Sequence, residues 1–312
     1  MNTGHHKTKA VIVGAGRVGS TLAYALSLKL LVSEIVLIDI DEKRAMGEAM
    51  DLNHGLSYYE NIKIHSGTYE DAKGASYILI TSGISQKPGQ TRLDLVKQNV
   101  EIIKDIVPKL AEYNSTAQYV LISNPVDVLT YVTLKITGFK RHQVFGTGTT
   151  LDTARYKYLI GHHFNVSPSN VHAFIVGEHG DSEVPLLSMA NISGVPLTKF
   201  EEFDLNKMNE IFESTKTAAY KIVEAKGSTY YAIGLVTAEI VQSMEHNQKK
   251  IFPVSSLIEG QLGIENVCLS LPTVVEGTGV GDIINIFPTE EETQKIQASA
   301  KVLQQVIKDV GF

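Results

Sequence analysis

The sequence predicts an α/β chain: a doubly wound parallel sheet covered by helices, followed by a second α+β domain. Three observations carry this. Short β-branched runs alternate with longer helix-period segments from Lys9 to Gly146. Those runs are continuously apolar, which marks strands buried on both faces of a parallel sheet. After about residue 150 the pattern changes to long helices and then clustered strands. No Pro- or Ser-rich linker and no internal repeat intervenes, so the expected parts, 1–148 and 149–312, pack tightly around a cleft.

In chain order, the first part offers strands at Ala10–Val13, Ile35–Ile38, Ile62–His65, Tyr77–Thr81, Tyr119–Ile122 and Val144–Gly146. Six such strands with helical connections suit a doubly wound sheet. The second part opens with a helix over Asp152–His163 and a strand over Val171–Val176. Long helices follow at Leu205–Ala225 and Tyr230–His246. Strand-like runs at Ile251–Leu257, Val267–Leu271 and Ile283–Ile286 precede a last helix, Glu290–Asp309. The glycines of Gly277-Thr278-Gly279-Val280-Gly281 lead into strand-like residues rather than a helix, so they form a turn.

Composition narrows the partner. The chain has 312 residues, 43% apolar and 20% charged, which excludes disorder and small disulfide scaffolds. Its net charge of −6 leaves no cationic excess for a nucleic acid or an anionic membrane. A small molecule is the default partner. A single cysteine, Cys268, excludes an intrachain disulfide and a thiolate metal cluster and suits a reducing cytosol. The apolar stretch Leu22–Val32 is broken by Ser27 and Lys29 and is far shorter than the roughly 20 residues of a membrane span. Met1–Lys7 leaves no room for a secretion leader before the first strand. A cytoplasmic location is expected. Neither His162-His163 nor Met50–His54 has ligand spacing, and no metal is expected.

Ala10-Val11-Ile12-Val13 runs directly into Gly14-Ala15-Gly16-Arg17-Val18-Gly19, and a helical pattern follows at once. Gly14 permits the tight turn, Gly16 lets backbone approach a pyrophosphate, and Gly19 allows close helix–strand packing. Asp39, twenty residues after Gly19, ends the next strand. Its carboxylate suits a ribose 2′-hydroxyl and repels a 2′-phosphate, and Ile40 offers no compensating cation, so a Rossmann-type site for NAD rather than NADP is expected.

Three further segments concentrate polar groups. Thr81 to Leu93 is a long Gly- and Pro-containing loop ending in Arg92 at a helix start. Leu151-Asp152-Thr153-Ala154-Arg155 places Asp152 and Arg155 three apart, on one helix face. Val176-Gly177-Glu178-His179-Gly180-Asp181-Ser182 sets a histidine between glycines after a strand. One His, one Asp and two Arg are the groups that hydride transfer to a 2-oxo acid requires. The His gives a proton, the Asp orients it and raises its pKa, and the Arg residues hold a carboxylate and polarise a carbonyl.

On Gly14-Ala15-Gly16, Ser123-Asn124-Pro125-Val126-Asp127, Leu151–Arg155 and Gly177–Gly180, from Ala10 to the last helix, the chain resembles the L-lactate/malate dehydrogenase family, most closely its bacterial L-lactate dehydrogenases. The resemblance implies that His179 is the acid/base, Asp152 its partner, Arg155 the carboxylate clamp and Arg92 the arginine of a closing lid. It places Asn124 on the substrate oxygen, with a candidate cis bond to Pro125, and counts Gln86, Asp127 and Thr229 with the substrate residues. For the cofactor it implies Gly14, Gly16, Val18, Gly19, Asp39, Tyr69, Gly83, Ile84, Ile122, Asn124 and Thr147. Malate enzymes carry an arginine where this chain has Gln86; without it a second carboxylate is unpaired, and pyruvate is the expected substrate. The resemblance also implies a fermentative, glycolytic role, a homotetramer, and an activator site for fructose 1,6-bisphosphate at His172 and Lys157, the latter replacing an arginine. Leu187-Ser188-Met189 departs from the Trp-Ser-His of many relatives.

Overall fold

A computed structural model describes residues 8–58, 62–84 and 92–312, position 92 by its backbone alone. The first part alternates β1 (Lys9–Val13), α1 (Arg17–Leu28), β2 (Glu34–Ile38), α2 (Glu42–His54), β3 (Lys63–Ser66), β4 (Tyr77–Ile80), α3 (Arg92–Tyr113), β5 (Gln118–Leu121), α4 (Val126–Thr137) and β6 (Val144–Gly146). All six strands fall where the apolar runs predict them. Strands β1 to β6 pair in parallel in the order β3-β2-β1-β4-β5-β6. Helices cover both faces, so β1, β2, β4 and β5 are buried nearly throughout; each fully buried Val, Ile or Leu contributes about 1.5–3 kcal/mol.

The second part contains α5 (Thr150–His163), β7 (Val171–His172), β8 (Ile175–Val176), β9 (Val184–Pro185), β10 (Asn191–Ile192), β11 (Val195–Pro196), α6 (Leu205–Lys226), α7 (Tyr231–Glu245), β12 (Lys250–Glu259), β13 (Glu265–Glu276), β14 (Gly279–Ile283) and α8 (Glu290–Asp309). Three expectations are corrected. Val171–Val176 is two short strands, because β7 pairs with β10 while β8 crosses to pair with β9. The last strand begins at Gly279 and ends at Ile283, because a two-residue turn at Gly277-Thr278 returns the chain along β13. Third, the sheet does not stop at β6: β12, β13 and β14 extend it antiparallel to nine strands, through Ser255 opposite Gly146.

The glycine that opens β14 after that turn is required by packing. A Cβ on Gly279 would lie 1.9 Å from the His142 carbonyl oxygen. Among the described residues no helix is long and apolar enough to cross a membrane.

Candidate active site

In an open parallel sheet the ligand crevice lies beyond the carboxyl ends of the strands, where the order reverses. Here that point is between β1 and β4. Gly14, with φ +107°, turns the chain out of β1, and its N–H donates to the Ile38 carbonyl at 2.7 Å. Thr81 Oγ1, just past β4, donates to the Gly14 carbonyl at 2.7 Å. A Cβ on Gly19 would meet the Gly14 oxygen at 1.9 Å, whereas a Cβ on Gly16 would have nothing within 4 Å. The two glycines therefore have different purposes: Gly19 closes the turn, and Gly16 keeps space open beside the first turn of α1. That turn has no acidic residue and no side-chain cap, so its N–H groups are available to an anion.

Asp39 ties this loop together. Its Oδ2 accepts from the Ala15 N–H at 2.7 Å and its Oδ1 from the Asp41 N–H at 2.9 Å. The carboxylate stands half-buried at the end of β2 with Ile40 exposed beside it. Tyr69 lies close enough for Asp39 to act on its phenol, which burial foremost pushes above its usual range. Ile122 and Thr147 directly follow β5 and β6 at the carboxyl edge of the sheet and are buried; Gly83 and Ile84 are exposed after β4, and Val18 packs against the core. This geometry fits a dinucleotide. Gly16→Ala is expected to leave the melting temperature unchanged and weaken NADH binding. Gly19→Ala is expected to lower the melting temperature as well, with about 1–3 kcal/mol of overpacking; fluorescence titration and thermal melts check both.

The second cluster is built by α5, α4 and the loop after β8. Ile175 of β8 donates its N–H to Thr153 Oγ1 at 2.9 Å, and its carbonyl accepts from Thr149 Oγ1 at 2.6 Å, which fixes α5 against β8. Gly177, with φ +88°, exchanges two backbone hydrogen bonds with Ser270 of β13. Glu178 donates its N–H to Ser299 of α8 and His179 its N–H to Asp127 Oδ2 of α4, both at 2.8 Å. The histidine is thus held by a sheet and two helices. Asp127, 2% exposed, anchors the loop from behind; burial pushes its carboxyl up to about 6.

Asp152, in the first turn of α5, is shared. Its Oδ2 lies 2.6 Å from His179 Nδ1, and its Oδ1 accepts from the Arg155 guanidinium at 2.8 Å. Their side chains are 5%, 25% and 15% exposed for Asp152, His179 and Arg155. Burial alone would lower the imidazole pKa, but the charge and hydrogen bond of Asp152 prevail, with Asp127 and Glu183 adding, and push it up to about 9. Burial likewise opposes the Asp152 charge, and His179 and Arg155 overcome it, so the carboxyl stays below its usual range. The product is a protonated histidine and an arginine braced on one buried carboxylate. That set can bind an anion and give it a proton.

Asn124 is exposed at the end of β5, its bond to Pro125 is cis, and its Oδ1 accepts from the Val126 N–H at 3.3 Å, which leaves the amide NH2 to donate. Thr229 is in the turn between α6 and α7, which Arg17 grips at the Lys226 carbonyl and at Ser228 Oγ. Among the described residues no hydrogen bond joins Thr229 to His179, Asp152 or Arg155. Gln86 lies outside the described residues, as does the side chain of Arg92; the backbone of Arg92 begins α3. Lys157 and His172 line one cavity of about 540 Å³ between α5, α7 and β12, and burial lowers the Lys157 pKa. Cys268 is buried in β13, its thiol raised by burial, and takes no part.

Two residues escaped the sequence reading. Asn99 of α3, 2% exposed, accepts from the Ile84 N–H at 2.9 Å and donates to the Asn124 carbonyl at 2.8 Å, joining the loops after β4 and β5. Nothing in its local pattern separates it from an ordinary polar helix position. Glu183 is buried, with an oxygen within 4.8 Å of ligand atoms of Asp152 and His179. Leu187-Ser188-Met189 forms a short 3₁₀ turn whose Ser188 N–H donates to Glu292 at 3.0 Å, fastening it to the start of α8.

Comparison with known proteins agrees in extent and kind. Residues 8–146 match the family model described as lactate/malate dehydrogenase, NAD binding domain, and residues 149–311 that of its alpha/beta C-terminal domain. An L-lactate dehydrogenase of Acetivibrio thermocellus is 46% identical, over 100% of both chains. One from a Synechococcus strain is 45% identical, over 97% of this chain and 100% of its own. A crystal structure of a lactate dehydrogenase from a deep-sea metagenome library superposes with a TM-score of 0.95 at 39% identity, over 98% and 99%. A minor L-lactate dehydrogenase from Enterococcus mundtii, in a ligand-bound form, gives 0.95 at 39% over 97% and 98%.

Proposed function

Because the chain belongs to the lactate/malate dehydrogenase family, we propose that it is an NAD-dependent L-lactate dehydrogenase that reduces pyruvate reversibly to L-lactate. The observation that carries this reading is the single buried carboxylate of Asp152, shared between His179 and Arg155. A ketone beside a carboxylate is the substrate that such a pair addresses: a cation for the carboxylate and, next to it, a proton donor for the ketone oxygen.

Gly14, Gly16, Gly19, Asp39 and the α1 N-terminus would hold NAD, with Val18, Tyr69, Gly83, Ile84, Ile122 and Thr147 around it. When bound, the reduced cofactor supplies a hydride. Arg155 keeps guanidinium N–H groups beyond the one given to Asp152 and pairs them with the substrate carboxylate. Asn124 donates to the ketone oxygen. His179 turns Nδ1 to Asp152, so Nε2 carries the proton that this oxygen receives as it becomes the lactate hydroxyl. The reverse reaction requires the neutral imidazole to take that proton back. Arg92 adds a second cation and Thr229 stands near the methyl group, both by family correspondence.

Gln86 sets the preference for pyruvate over oxaloacetate, since no cation there meets a second carboxylate. Gln86→Arg is expected to raise the oxaloacetate-to-pyruvate ratio of kcat/KM; an unchanged ratio counts against the assignment. The overall reading is tested by following NADH oxidation with pyruvate, oxaloacetate and a branched 2-oxo acid in turn. Fastest turnover with pyruvate supports it, and no oxidation with any of them defeats it.

The same reading extends to residues 1–148 as the dinucleotide domain and 149–312 as the catalytic domain, in a cytoplasmic, fermentative enzyme at the end of glycolysis. Self-association, as a homotetramer by family correspondence, is supported by the exposed side chains of Tyr24, Leu28, Tyr58 and Tyr231 around one surface cavity. The cavity holding Lys157 and His172 would receive fructose 1,6-bisphosphate, with Lys157 as a point charge rather than a bidentate grip. Titrating the rate with the bisphosphate at limiting pyruvate tests this, and a flat response removes it.

A further inference from the structure

Glu183 stands two residues before Pro185, between the His179 loop and β9, and is 7% exposed. Its backbone is fixed by a hydrogen bond from its N–H to the Gly180 carbonyl at 3.2 Å. One of its carboxyl oxygens lies within 4.8 Å of ligand atoms of Asp152 and His179. Its Oε1 is fully buried with no hydrogen-bond partner among the described residues. An ionised carboxylate with one oxygen buried and unpaired at that position would be costly in itself. It would also place a second negative charge beside Asp152, in the pocket that must receive a third with the substrate.

We propose that Glu183 is a positioning residue that must be a neutral acid for the site to admit a 2-oxo acid, so that substrate binding at high pH takes up a proton at Glu183. This rests on the functional reading above, in which Arg155 and His179 bind the substrate. The charged groups facing Glu183 are Asp152 and Arg155 from α5, His179 from its own loop and Lys216 from α6. With Glu183 neutral, Asp152 balances one of the two cations His179 and Arg155, and the remaining positive charge matches one substrate carboxylate. With Glu183 ionised, that surplus falls by one charge. The direction of its titration agrees: burial first, then the Asp152 charge, raise it to about 8, against the pull of His179, Arg155 and Lys216. Glu183 therefore acts through the Asp152–His179 pair and not on the substrate directly.

The test uses the full-length enzyme with NADH and oxamate, in which an amide replaces the reducible ketone, so that binding is read without turnover. Wild-type affinity should fall from pH 7 to pH 9 by the ionisation of Glu183 together with that of His179. Glu183→Gln should bind oxamate equally at pH 7 and up to about tenfold more tightly than wild type at pH 9, the factor expected one unit above a midpoint of 8. Glu183→Asp, which restores a titrating carboxyl, should restore the alkaline loss. A residue that merely packs would not improve binding at high pH. If Glu183→Gln does not fold, calorimetry of oxamate binding to wild type at pH 8, in buffers of different ionisation enthalpy, gives the answer. Uptake of roughly half a proton per site supports the proposal, and about a tenth, the share of His179 alone, overturns it. Oxamate binding whose pH dependence is the same in wild type and Glu183→Gln overturns this inference only. Absence of oxamate binding at every pH overturns the functional reading, and this inference with it.

Discussion

Asp152→Asn is expected to lower kcat for pyruvate reduction by about 10²–10⁴-fold, the range of general acid–base catalysis, with little change in NADH affinity. The amide is isosteric and can keep one hydrogen bond, so the effect isolates the charge. Asp152 is what overcomes the burial of His179 and keeps its imidazole protonated up to about pH 9. Without that charge, burial is opposed only by Asp127 and Glu183, and the midpoint falls. The sign is definite. Reduction needs the protonated form, so wild-type rates decline as pH rises through about 9, and the variant's decline moves to lower pH. Lactate oxidation needs the neutral form, so its rising limb moves to lower pH as well. Stopped-flow rates in both directions across this range provide the check; a rate loss without movement of either limb would mean that Asp152 acts by packing alone.

Arg155→Ala is expected to cost about 3–5 kcal/mol of transition-state binding, or roughly 10²–10⁴ in kcat/KM for pyruvate. Two losses combine. The substrate carboxylate loses its cation in a site only 15% exposed at Arg155, and Asp152 loses the partner of its Oδ1. Arg155→Lys separates them, since an ammonium keeps the charge but cannot grip a carboxylate with two parallel N–H donors. Steady-state kinetics should therefore show most of the lysine variant's defect in KM, while the alanine variant is impaired in KM and kcat. A near-normal KM in both would remove Arg155 from the substrate site.

The fold was legible wherever one short-range rule operates without competition. Continuous apolar runs located all six strands of the parallel part within a residue or two, and Gly14, Gly16 and Gly19 announced the turn in which Gly19 packs against the Gly14 carbonyl. The spacing of Asp152 and Arg155 placed them on one helix face, and they meet there. What stayed hidden was long-range. Nothing in Ile251–Leu257 says that this strand joins the edge of β6 and makes one sheet of nine strands. Val171–Val176 reads as one strand because its apolarity is uniform, although its two ends pair in different sheets. Asn99 and Glu183 were invisible because their significance depends on what faces them from distant parts of the chain: Ile84 and Asn124, 15 and 25 residues away, for the first, and Asp152 for the second.

The buried carboxylate of Asp152 does most to hold His179 in its charged form. NMR titration of ring-labelled histidine in the folded protein, with His179 assigned by its absence in His179→Gln, reads that charge directly. The expected His179 midpoint is near 9 in the wild type and clearly lower in Asp152→Asn. A wild-type midpoint near 6.5 that is unmoved by Asp152→Asn would contradict it.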